Sequence, residues 1–185
     1  MDMNKKIAKF SQKIKNKLNN IVIYTLVLVF VVLSGATVSG DLRSERLRAF
    51  LYRYPGTPLI SHINEILYCA DKFKLDWRLY VAIAGAESTF GKHYPKHTRN
   101  LTGFNNCDTK FRSIYDNIYR THEVIATTKY YAKYRKTKNI KDLVYVYKGK
   151  PPYEHYIKTI KFVFWKINDP NLLAESPGGI LFAEK

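Results

Sequence analysis

Leu79-Tyr80-Val81-Ala82-Ile83-Ala84-Gly85-Ala86-Glu87-Ser88-Thr89-Phe90-Gly91 is the stretch on which the fold class turns. Leu79, Ile83, Ala86 and Phe90 recur at steps of three and four, and Val81, Ala82 and Ala84 fill the faces between them. Such a segment reads as a helix buried on most sides. Asp76 stands ready to cap its start, and Gly91 to end it in a left-handed turn. A helix with so little polar surface needs other helices around it, and the flanking sequence supplies them.

Upstream, Pro55-Gly56-Thr57-Pro58 breaks the chain, and Ile60, Ile63, Ile66, Leu67 and Ala70 then mark a first core helix over residues 59–73. Downstream, residues 92–111 hold His, Pro, Asn and Gly without a helical period, which predicts an irregular loop or a short hairpin. Ser113 with Asp116 resembles a capping box ahead of a long helix running to about residue 136. Asn139 caps a short helix over residues 140–147, and Gly149-Lys150-Pro151-Pro152 breaks the chain again. Tyr153, Tyr156, Ile157, Ile160, Val163, Phe164 and Ile167 give the last helix the clearest period of all. The expected class is therefore mainly α.

The N-terminus belongs to a different environment. Lys5, Lys6, Lys9, Lys13, Lys15 and Lys17 face a single acid, Asp2, and the chain then turns apolar. Residues 21–38 carry no charge and are about long enough to cross a bilayer core. The basic flank predicts that residues 1–20 stay in the cytoplasm. The run is either an uncleaved transmembrane anchor or a secretory signal, for which Ser34-Gly35-Ala36 and Val38-Ser39-Gly40 offer small-residue cleavage sites. Both alternatives place the rest of the chain outside the membrane. Residues 39–57 read as a charged stalk, 58–168 as the folded domain and 169–185 as a loose tail.

Formal net charge is +16, which favours anionic partners: nucleic acid, lipid headgroups or an acidic wall polymer. With export expected, the wall is the most economical of these, and no nucleic-acid motif accompanies the charge. Cys69 and Cys107 either pair in an oxidising compartment or remain two free thiols. His93 and His97 are separated by Pro95, so no shared helical face is expected, and neither a metal site nor a cofactor is indicated.

Glu87 is the residue with unspent chemistry. Its helical neighbours are Ile83, Ala84, Phe90 and Gly91, none of them a cation. Desolvation and the negative end of the helix dipole both raise the pKa of a carboxyl so placed, which suits a general acid. A glutamate leaving its helix into solvent is the plain alternative.

The run from Tyr80 through Lys92, followed by Asn100-Leu101-Thr102-Gly103-Phe104, resembles the lysozyme-like superfamily. It is most similar to bacterial endo-β-N-acetylglucosaminidases, which show Glu-Ser at a helix end, a Gly three residues later and Asn-Leu-x-Gly downstream. Phe111-Arg112-Ser113-Ile114-Tyr115 matches their Phe-Arg-x-Tyr with one residue inserted. Soluble lytic transglycosylases share the Glu-Ser and a later helical Tyr, for which Tyr145 and Tyr147 are candidates, Tyr147 the better. The resemblance spans residues 59–167. It implies a lysozyme-like domain that cleaves β-1,4 bonds of peptidoglycan, with Glu87 as acid, Ser88 as its supporting hydroxyl and Tyr147 as a further catalytic group. Asn100, Gly103, Phe104 and Asp108 are implied as substrate-binding residues.

The chain departs from that pattern in one place. Only seven residues separate Gly103 from Phe111, where the glucosaminidases carry a longer hairpin and often a second carboxylate. Asp108 is the sole acid there. Hydrolase and transglycosylase therefore both remain open, beside two other readings: a catalytically silent wall-binding module and a membrane-tethered nucleic-acid binder. Peptidoglycan strands and, through residues 21–38, the membrane are the expected partners. No obligate protein partner is evident.

Overall fold

The structure, a computed structural model, describes residues 15–18 and 41–175. The chain divides into two compact units, Met1–Ser39 and Gly40–Lys185. Of the first, residues 15–18 are helical. The expected anchor over residues 21–38 lies outside the described residues, among which no helix is long and apolar enough to cross a membrane.

The second unit is mainly helical, with no strand among the described residues. Its helices are α1 (Leu42–Leu51), α2 (Ile63–Phe73), α3 (Leu79–Ser88), α4 (Ile114–Thr127), α5 (Ala132–Thr137), α6 (Ile140–Tyr147) and α7 (Glu154–Asn168). Short 3₁₀ turns cover Pro58–His62, Phe104–Cys107, Lys129–Tyr131 and Pro170–Leu172. Helix α3 forms the hub. Six consecutive residues, Leu79 through Ala84, are at most 1% exposed, and the helix packs most extensively on α7.

Residues 41–54 are not a stalk. Leu47, Phe50 and Leu51 are fully buried in the common core, and Arg46 reaches the carbonyls of Ile167 and Asp169 at the end of α7. Apolar residues on α1 gain far more from this core than from water, so the domain begins before Pro55. Of the expected tail, residues 169–175 are described, and they fold onto the domain. Asp169 caps a turn through Asn171 N, and Leu172 is fully buried.

The long helix expected from Ser113 is broken. Ser113 caps its start by accepting from Asp116 N at 3.0 Å, but Thr128 is extended (ψ 147°) and ends α4. Thr127 and Thr128 donate their hydroxyls back to the carbonyls of Glu123 and Val124. Arg135 then closes the end by donating to the carbonyls of Ile125 and Thr128, at 2.9 and 2.7 Å. Carbonyls that lose their helical partners at this break thus find a guanidinium instead.

A candidate active site at the end of the hub helix

Helix α3 stops abruptly. Thr89, Phe90 and Gly91 all take left-handed backbone angles (φ 51°, 60° and 77°), so the stop expected at Gly91 begins two residues earlier. The turn swings Phe90 back under the helix, between Phe50 and Tyr54, with ring centroids at 5.4 and 4.0 Å. Thr57 holds it there through a hydrogen bond to the Phe90 carbonyl. Glu87 is the penultimate residue of this helix.

The Asn100-Leu101-Thr102-Gly103 segment is fastened beside Glu87 by buried side chains from three helices. Ser88 Oγ donates to the Leu101 carbonyl at 2.7 Å. Asn117 of α4 accepts from Leu101 N at 3.3 Å and from Tyr80 Oη at 2.8 Å, and it donates to Thr102 Oγ1 at 2.8 Å. Tyr147 at the end of α6 donates to the Thr102 carbonyl at 2.7 Å. A loop backbone can lie this deep because polar groups that it buries find such partners.

These fastenings set Gly103 against the Glu87 carboxyl. A Cβ on Gly103 would lie 2.4 Å from Glu87 Oε2 and 2.7 Å from its Cδ. The residue also has φ 72°, which a side chain would strain. Glycine is required here on both counts.

Glu87 as a residue is open to solvent, while its carboxyl lies against Gly103. Desolvation raises the pKa above the ordinary value, opposed by the Tyr156 hydroxyl and by the charge of Lys148. Tyr147 and Tyr156 both feel the Glu87 charge, and burial lifts each phenol well above its usual range. Tyr156 Oη is itself buried and meets no partner at hydrogen-bonding geometry among the described residues. It is thus a buried hydroxyl set beside a carboxyl whose pKa burial raises. Behind the fastened loop, His122 is buried with its pKa lowered to about 4 by desolvation, and it stacks on Tyr80.

The structure brings Glu87, Ser88, Gly103 and Tyr147 together. The Ser88 and Tyr147 hydroxyls each donate to a loop carbonyl and so hold the loop in place. Asn100 is buried too, and its amide is spent within the loop. It donates to the carbonyls of Phe104 and Thr109 and accepts from Phe104 N, so it shapes the rim without lining it. Phe104 is half-buried and packs near Tyr147 and Phe111. Asp108 is exposed, and its charge reaches Cys107. Cys69 and Cys107 are both free thiols, the first buried. No group of metal-binding side chains occurs among the described residues.

Sequence reading placed Tyr156 in the last helix only as a core residue, and it did not single out Lys148. A tyrosine in an apolar stripe carries no signal that separates it from a core phenylalanine. No protein-family model, no curated protein and no solved structure matches this chain.

Proposed function

We propose that the chain cleaves the glycan strand of peptidoglycan at a β-1,4 bond, with Glu87 as the general acid and then the base. The observation that carries this reading is the Glu87 carboxyl, on an exposed residue yet desolvated, laid against Gly103 and beside the buried Tyr156 hydroxyl. The Glu-Ser and Asn-Leu-x-Gly motifs, whose residues meet here, support the choice of a sugar bond over other acid-catalysed chemistry.

Protonated Glu87 donates to the glycosidic oxygen as the bond to the anomeric carbon breaks. Two carboxylates are the usual equipment, about 5–9.5 Å apart according to stereochemistry. Asp108, exposed on its turn, is the one acid between Gly103 and Phe111. The reading therefore assigns stabilisation of the cationic centre to the substrate's own N-acetyl oxygen, a known exception to the two-acid pattern. Carboxylate Glu87 then accepts a proton from water, giving a reducing end, or from the C6 hydroxyl of the sugar, giving an anhydro end.

Glu87→Gln keeps the shape and removes the proton. Muropeptide release from purified sacculi is expected to fall by about 100-fold or more, with the melting transition retained. Release at the wild-type rate would sink the mechanism. Mass spectrometry of the products identifies the bond and distinguishes anhydro from reducing ends.

A further inference from the structure

We propose that the outer stripe of α7, formed by Lys158, Lys161, Phe162 and Trp165, is a docking face for an anionic lipid bilayer. These positions follow one another at steps of three, one and three, so they share a single helical face. Phe162 is 48% and Trp165 63% exposed, and their rings touch at a centroid distance of 6.0 Å. The opposite face of the helix buries Tyr156, Ile160, Val163 and Ile167 in the core. The helix therefore cannot rotate to hide its aromatic pair.

Single exposed apolar side chains are ordinary, but a contiguous aromatic pair flanked by lysines calls for a partner. Lys158 and Lys161 are exposed and form no ion pair among the described residues. Lys166 sits 5.5 Å from the Trp165 ring centroid, with its charge matched by Asp169. Tryptophan favours the headgroup level of a bilayer, where its ring is shielded and its N–H stays wet, and neighbouring lysines favour an anionic leaflet.

Charge complementarity decides for lipid over sugar. Between Glu154 and Asn168 at its two ends, the stripe offers no carboxylate or amide to bond sugar hydroxyls. The membrane span expected over residues 21–38 would tether the same chain to such a bilayer. The proposal does not depend on Glu87 chemistry.

The chain has two tryptophans, so Trp77→Phe leaves Trp165 as the sole indole reporter. The full chain carrying that substitution is reconstituted into phosphatidylcholine vesicles with and without about a quarter phosphatidylglycerol, using brominated acyl chains as quencher. Blue-shifted Trp165 emission, quenched by about half or more in anionic vesicles and much less in neutral ones, is the expected result. Lys158→Glu with Lys161→Glu should abolish that difference while leaving circular dichroism and muropeptide release unchanged.

The proposal is overturned if Trp165 keeps the emission of an exposed indole and the same acrylamide accessibility with and without vesicles. It is equally overturned if protection appears only on adding purified sacculi, or if it tracks a dimer in sedimentation equilibrium. Loss of lipid quenching with muropeptide release intact would remove this face and leave the catalytic reading standing.

Discussion

Desolvation holds the Glu87 pKa above the ordinary 4.5, and linkage gives that shift a consequence for folding. Between the unfolded and the raised folded pKa the native chain binds more protons than the unfolded one, so the contribution of Glu87 to stability falls as pH rises through that window. Glu87→Gln escapes the loss. The variant is expected to melt above the wild type at neutral pH, with the difference vanishing below about pH 4.5; thermal melts across that range measure it, and an unchanged difference at all pH values would contradict the assignment. Tyr156 acts in the opposite sense, favouring the carboxylate. Tyr156→Phe should raise the Glu87 pKa further and carry the alkaline limb of the pH–activity profile upward, whereas a purely packing role would lower the rate without moving that limb. Glu87 was legible in the sequence because its helical neighbours offer it no cation. Its tyrosine neighbour was not, since the contact comes from another helix.

At the scale of elements, the end of α3 depends on a close approach that its sequence half discloses. Gly85 reads as a weak point in a helix, yet a Cβ there would lie 2.5 Å from Cε1 of the Phe90 ring. That ring is buried and packed on Phe50 and Tyr54, so it has little room to move. Gly85→Ala is expected to destabilise the domain by about 1–3 kcal/mol through overpacking, against the roughly 1 kcal/mol that alanine gains in a helix. A urea titration checks the sign. Local signals did well where they were sufficient: Asn139 caps α6 through Lys141 N as its position indicated. The break at Thr128 was hidden because Arg135, which satisfies the freed carbonyls, acts from seven and ten residues away. No capping residue or proline announces it.

For the whole molecule, the decisive revision is where the domain begins. The charged run before the Pro-Gly break reads as a stalk because such a segment suits either role; Leu42 in it is 53% exposed, but it also holds Leu47, Phe50 and Leu51. Each of these three is fully buried, and burying such side chains stabilises by about 1.5–3 kcal/mol apiece. A chain starting at Asp41 should melt cooperatively, and one starting at Pro55 should not; calorimetry of the pair tests this. The positive balance of the sequence was legible as a preference for anionic partners, but composition could not say where on the surface it mattered. The loop after Gly103 has a different lesson. One buried amide, that of Asn100, bonds the carbonyls of both Phe104 and Thr109, at 2.8 and 3.2 Å, and so cinches the loop at its neck. The exposed residues between, Asn105 and Asn106 among them, lie beyond that knot. Because closure entropy grows only slowly with length, the tip can be lengthened or exchanged while the neck and everything beneath it keep their shape. The short rim is thus a replaceable fitting on a fixed mount, and under the proposed function glycan preference would be open to change there without rebuilding the helix that carries Glu87.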